Sequence, residues 1–370
     1  MTTSVLPGRS PRTSALRARR GWAGGRGEAW RDWALLGVAA HAVLIALVVA
    51  RPSWPWFLAA AVVLGQVWST GTLTVLHDAG HQRFARRAWP NVLAVQTAVP
   101  LGLWVGHWAR KHRVHHLLTQ VYPLDEATRS SGLVRLHPQA AWRPVHRHQH
   151  RYAWFLYSLA WVGELRSQAT YLRTGAVGGA AGGSVGTISR PRRTVSFLVE
   201  KALCLLVLTP YAIGLGVERL ALLLVASMCL ASLSAAVLTT VGHINVGVVP
   251  DRTVPSADRW MGHVVSTTAS FSTDRPLARW LTGGLTHHLA HHLRPVASRA
   301  ELPALHRTTA RAAAIRSGEQ LVEFPTLAVA VRGHWLRLRE LGQQPWPAGD
   351  ATHTASDSTA ARGAARPSPG

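Results

Sequence analysis

Cysteine is almost absent: the 370 residues contain two. Cys204 and Cys229 both fall in apolar runs. That excludes a disulfide framework and a thiolate metal site, and both read as packing residues. Charged residues are scarce too, at 15% against 48% apolar. With 16 Trp and a mean hydropathy of +0.09, the composition points to membrane contact rather than an ordinary soluble domain. Acidic residues are few, 17 against 40 Lys and Arg, for a net charge of +23. Such a charge suits nucleic acid in principle, but its distribution does not. The basic residues lie in the N-terminal arm and beside the apolar runs, without a groove-like interleaving of aromatics. No nucleic-acid partner is expected, and an Arg-rich cytoplasmic face accounts for the charge. Internal repeats of solenoid type are also missing.

The apolar runs define the organisation. Residues 1–30 form a basic arm rich in Ser, Gly and Pro, expected to be disordered. Arg19-Arg20 hints at a twin-arginine signal, but no short apolar region with a cleavage site follows, so an uncleaved first span is expected. Four spans are expected, at about 33–49, 54–76, 198–217 and 220–241, in two hairpins turning at Arg51-Pro52-Ser53 and Glu218-Arg219. Asn91 to Val105 is apolar but short and broken by Pro100 and Gly102, so it reads as re-entrant or interfacial. Gly175 to Arg193 reads as a flexible linker, and residues 343–370 as a disordered tail. The fold expected is all-α and integral to the membrane, with residues 31–342 as one domain capped by cytoplasmic helices. Arg and Lys excess places both termini and both long loops on the cytoplasmic side of the cytoplasmic membrane.

What the chain does have is histidine, 20 residues of it. Three clusters stand out: "HDAGH" with His77 and His81, "HRVHH" with His112, His115 and His116, and "HLAHH" with His288, His291 and His292. Residues at i, i+3 and i+4 share a helix face, so each cluster projects its imidazoles together. His243 follows the fourth span as a ninth candidate. The pattern His-x-x-His-His is expected by chance only roughly 0.06 times in this composition, yet it occurs twice. Nine imidazoles exceed the roughly four that one zinc takes and suit a pair of metal ions. Imidazole binds Zn, Cu, Fe and Ni alike, but ligand number in a membrane setting favours iron that activates oxygen. Soluble di-iron bundles use Glu-x-x-His, which is absent, so any di-iron site here is histidine-rich. His41, His107, His137, His306 and His353 read as packing or surface residues, and "HRHQH" (146–150) as a strand or an interfacial segment.

These residues resemble the membrane fatty acid desaturase family, whose pattern is three histidine boxes after paired spans. "WARKHRVHHLLTQ", "HRHQHRYAWFLYSL" and "GGLTHHLAHHLRP" are similar to stretches of its front-end and linoleoyl-CoA-desaturase-like branch. The likeness extends from about Leu73 to Leu305. It implies two iron ions that use O2, with electrons from an external donor such as ferredoxin and its reductase, to remove hydrogen from two adjacent carbons. The substrate would be a fatty acyl chain on a lipid, on coenzyme A or on acyl carrier protein, and the product a C=C bond and water. It implies that the eight box histidines and His243 are ligands. Asp78 and Asp125 would orient imidazoles. Apart from the resemblance, the apolar acyl chain is expected to enter from a groove near the spans, past Trp104 and Trp108. Departures exist. His288 stands where the branch has Gln; Thr286, Ala290 and Arg294 replace Asn, Glu and Phe; Arg113 and Gln120 replace Asn near the second box. No His-Pro-Gly-Gly of a fused cytochrome b-type domain occurs, so the donor is a separate protein.

Related chemistries share the pattern: hydroxylase, ketolase on carotenoid, or acetylenase. A metal transporter would carry its ligands near the bilayer midplane rather than at span ends. A zinc protease needs His-Glu-x-x-His, where "HDAGH" has Asp instead of the general base.

Overall fold

The computed structural model describes residues 13–129, 132–177, 188–250 and 253–343. The first twelve residues of the arm, the linker core at 178–187 and the tail from 344, with His353, lie outside them. The long helices are α1 (Thr13–Ala50), α2 (Trp54–Gly71), α8 (Arg190–Leu215) and α9 (Val217–Thr240). A π-helical turn, Thr72–Leu76, carries α2 directly into α3 (His77–Gly80). Between them and after them come shorter helices: α4 (Ala88–Ala98), α5 (Val105–Leu117), α6 (Gln149–Ser158), α7 (Ala160–Thr174), α10 (Trp260–Ser266), α11 (Pro276–Leu281), α12 (His288–Leu293), α13 (Leu302–Leu305), α14 (Arg311–Ser317) and α15 (Leu327–Gly342). Two short strands, β1 (Ala269–Phe271) and β2 (Val322–Phe324), pair in parallel.

Among the described residues, four helical stretches are long and apolar enough to cross a membrane: Arg26–Ala50, Trp54–Gly80, Arg190–Leu215 and Val217–Thr240. Each exceeds the roughly 20 residues that a bilayer core of about 30 Å needs. Helix α1 begins at Thr13, earlier than the expected boundary at residue 31, because Ala, Leu and Arg between 15 and 20 are good helix formers. The third span also starts earlier, at Arg190. The last turn falls at Gly216 rather than Glu218-Arg219. Gly216 takes φ +87°, which suits a residue without Cβ, and Glu218 sits in the first turn of α9, where the helix dipole favours an acid.

Helix α2 packs most extensively on α9. In lipid, apolar side chains gain little by meeting one another, so close fit and interhelical hydrogen bonds hold such a pair. Leu64, Trp68 and Leu223 are fully buried there, and Ser227 Oγ donates to the Ala61 carbonyl at 3.1 Å. The outward faces stay apolar and exposed, as with Val38 and Val49 on α1 and Leu206 and Ile213 on α8. His41 joins α1 to its neighbours, with Nδ1 2.5 Å from Tyr211 Oη and Nε2 2.8 Å from the Thr97 carbonyl oxygen. Cys204 is buried and Cys229 half-buried, both free thiols in helices.

Helix α4 has 11 residues, or about 16 Å, too short to cross a bilayer. The chain reverses at Gly102 (φ +66°) and enters α5, which packs against α3. The second histidine cluster therefore meets the first. "HRHQH" is not a strand: a 3-10 turn, Pro144–His148, runs into α6.

Candidate metal centre

Nine histidines converge where α3, α5, α12 and the turn after α9 meet. They form two groups. His77, His81, His112, His116 and His291 make one; His115, His243, His288 and His292 make the other. Within each group the ligand atoms lie within 4.8 Å of one another. In the first group Nε2 of His291 is 3.0 Å from that of His77 and 3.1 Å from that of His116. Nε2 of His112 is 3.1 Å from that of His81 and 3.0 Å from that of His116. In the second, His243 Nε2 is 3.1 Å from His115 Nε2 and 2.7 Å from His288 Nε2. Two nitrogens about 2.1 Å from one ion and at right angles to each other lie about 3.0 Å apart, so these spacings fit a shared cation.

Tautomers make the argument stronger. His115 Nδ1–H donates to Asp125 Oδ2 at 3.0 Å, and His243 Nδ1–H donates to the Thr267 carbonyl at 3.0 Å. His292 Nδ1 faces Thr119 Oγ1 at 3.3 Å, while that hydroxyl donates to the His115 carbonyl. The three Nε2 atoms are left as bare lone pairs, and that of His292 is buried without a hydrogen-bond partner. Lone pairs gathered in a dry pocket repel one another unless a cation sits among them. Burial, then the neighbouring imidazoles, holds His112, His116, His288, His291 and His292 well below their ordinary pKa. Burial, with His115 beside it, pushes His243 down to about 3. These rings are neutral at neutral pH, the form that binds metal without first releasing protons.

Asp125 is built to steer His115. Besides the ring it accepts from Gln120 N and Ala127 N, both at 2.9 Å, and it is fully buried. Burial alone would raise its pKa; the His115 ring and the two amides outweigh that and hold it below the ordinary value. Removing such a partner of a metal ligand costs about 10–100-fold in affinity. Asp125→Ala is therefore expected to weaken metal binding by that factor in a competition titration. Unchanged affinity would reduce Asp125 to a turn residue.

Asp78 does something other than expected. Its Oδ1 lies 3.9 Å from His77 Nδ1, too far for a hydrogen bond. It pairs instead with Arg299 at 2.8 Å and Arg83 at 3.4 Å. Arg299 also bonds Asp32 on α1, and its backbone N–H donates to Glu28 at 2.9 Å. Arg83 reaches the carbonyls of Pro295 and Ala297. This buried lattice ties α1, the first cluster and the segment after the third, and the sequence reading passed over Arg299, Arg83, Asp32 and Glu28. The charge of Asp32 at the edge of an apolar run is the signal that could have drawn attention. Gly283 adds a second tie. It approaches the Leu73 carbonyl in the π-helical turn so closely that a Cβ would lie 1.8 Å from the oxygen.

Helix α5 is placed by buried polar partners on α7 and α8. Glu200 accepts from Val105 N at 2.7 Å, capping the first turn of α5. Glu164 takes Lys111 Nζ at 2.6 Å and His107 Nδ1 at 3.1 Å. Of the packing and surface alternatives for His107, the structure takes packing: the ring is buried. His306 is buried against Glu323 at 2.6 Å, and His137 stacks on Tyr122.

The two tryptophans part company. Trp108 stacks on His112, with centroids 4.5 Å apart at 20°. Trp104 is buried at 1% exposure, donates to Ser196 Oγ at 3.0 Å, and packs on Tyr171 and Phe197. Its surface is used in the core, so Trp108 is the one of the pair beside the histidines. His288, the departure from the branch pattern, takes its place in the four-histidine group.

Comparison with known proteins identifies the family. The family model described as "Fatty acid desaturase" matches residues 52–320, which hold all nine histidines. An sn-1 linoleoyl-lipid 6-desaturase of Arthrospira platensis is 27% identical over 264 residues, covering 67% of this chain and 68% of that protein. An acyl-lipid omega-13 desaturase of Chlamydomonas reinhardtii is 27% identical over 311 residues, covering 78% of this chain and 60% of that protein. An sn-1 linoleoyl-lipid 6-desaturase of Synechocystis sp. is 25% identical over 298 residues, covering 78% and 82%. With its histidines so gathered and most of its length matched, the chain belongs to the fatty acid desaturase family and is an oxidoreductase.

Proposed function

We propose that this protein is a membrane-bound di-iron desaturase that introduces a C=C bond into a fatty acyl chain, with the nine histidines as the iron ligands. The observation that carries the reading is the convergence of nine imidazoles in two groups of five and four, with Nε2 of His115, His243 and His292 left as lone pairs in the second. Bound there, an iron pair supplies the O2-dependent oxidation that removes hydrogen from an unactivated carbon chain. The chain's own residues do the rest. Asp125, Thr267 and Thr119 fix which nitrogen of the His115, His243 and His292 rings faces the metal. Trp108 stacks flat on the His112 ring and restrains its orientation.

Acyl-lipid is the substrate carrier we favour, because the named relatives act on acyl-lipids. Electrons come from a separate carrier of the ferredoxin type. The two hairpins sit in the cytoplasmic membrane with both termini and the histidine groups on the cytoplasmic side, where the flanking arginines are. The test is lipid analysis of a host that expresses the protein together with a ferredoxin and its reductase. A new unsaturated acyl chain, absent without O2 and absent in a His116→Ala strain, is expected. A hydroxylated or oxo product would move the protein to a related chemistry of the family, and unchanged lipids beside iron-loaded protein would contradict the proposal.

A further inference from the structure

The family match ends at residue 320, yet the chain continues through β2 and α15, and α15 grips the loop that carries His243. His243 lies in a turn beyond the end of α9 at Thr240, so no helix holds it. Its position depends on what packs around that turn. On one side, Ala269 N donates to the Gly242 carbonyl at 2.7 Å, and Thr267 holds the ring. On the other side stands α15. His334 is fully buried, with Nδ1 2.5 Å from the Ile244 carbonyl oxygen. A carbonyl only accepts, so Nδ1 carries the proton and Nε2 accepts from the Tyr157 hydroxyl at 3.0 Å. Asn245 Nδ2 donates to the carbonyls of Val241 and Ala330, both at 2.9 Å, which ties the turn to the α15 backbone. Gly333 permits this approach, since a Cβ there would lie 2.2 Å from Asn245 Oδ1.

We infer that His334, Asn245 and Tyr157 are positioning residues for His243, through which the C-terminal helix preorganises the four-histidine group and not the five-histidine group. The latter takes its rings from α3 and its end, α5 and α12, and none from this turn. A metal site needs its ligands held by second partners to within a fraction of an ångström. His243 is the hub of its group, 3.1 Å from His115 and 2.7 Å from His288, so a slack turn spoils both spacings. The inference rests on reading these histidines as ligands.

The experiment counts iron per chain in purified full-length protein by elemental analysis, with Mössbauer spectra of the same samples. Wild type is set beside His334→Leu, His334→Asn and Gly333→Ala. Leucine removes the donor and strands the buried Ile244 carbonyl. Asparagine places an N–H close to the lost Nδ1. Gly333→Ala forces the helix off the turn and serves if the leucine protein fails to accumulate. Wild type and His334→Asn are expected to hold about two iron ions, one for each group. His334→Leu and Gly333→Ala should hold about one, in a single Mössbauer environment. Two ions in both of these variants, or loss of both ions together, overturns the inference. A wild type without two ions overturns the ligand reading itself, and the inference with it, so the two failures are told apart by the control.

Discussion

Replacing His291 with alanine is expected to abolish desaturation and to remove about one iron ion per chain. His291 Nε2 stands 3.0 Å from His77 and 3.1 Å from His116, so it joins the first cluster to the second within the five-histidine group. Loss of an outer hydrogen-bond partner of a ligand already costs about 10–100-fold, and loss of the ligand itself costs more. Product formation should fall by more than about a hundredfold, while the four-histidine group, which does not contain His291, keeps its ion. The paired measurement is acyl product per iron-loaded chain and iron per chain. A His291→Ala enzyme with two ions and ordinary turnover would sink the assignment of the first group.

The second large effect is on the fold. Arg299 is 4% exposed and shares its guanidinium between Asp78, 1% exposed, and Asp32, 0% exposed. Taking the cation away leaves two buried carboxylates short of a partner. Breaking a buried pair in this way costs about 3–5 kcal/mol. Arg299→Leu should therefore lower the melting temperature sharply and leave little folded protein in the membrane. Arg299→Lys should fall between, because an ammonium cannot fork to two carboxylates as a planar guanidinium does. Double replacement of Arg299 and Asp78 by leucine should recover part of the loss, since it removes one of the stranded charges. A single Arg299→Leu protein with wild-type melting would show that Arg31, Trp280 and Arg83 satisfy the carboxylates alone.

The histidine clusters were legible in the sequence because their order is local. Spacing of three and four places rings on one helix face, and α5 and α12 form where that spacing predicts. How the rings divide was not legible. Successive residues turn by about 100°, so each His-x-x-His-His presents its rings across a broad arc. His112 and His116 fall to one group and His115 to the other; in the third cluster His291 goes one way and His288 and His292 the other. That split depends on how the helices meet. The span positions were readable as apolar runs, but the π-helical turn before His77 meets Gly283, more than two hundred residues on, and nothing local announces that contact. The same holds for Arg299 with Asp32, Glu200 with Val105 and His334 with Ile244. Each joins distant residues, and a lone charge or ring in the sequence carries no sign of its partner. Trp104 shows the converse. An aromatic near a cluster looked available for substrate, and the structure uses it to pack α5 against α7 and α8.

The most direct test of the central claim is the metal content of the purified wild-type protein, measured by elemental analysis together with Mössbauer spectroscopy. The two groups of five and four imidazoles predict about two iron ions per chain in two distinct nitrogen-rich environments. A single zinc ion, or histidine groups that bind no iron at all, would contradict it.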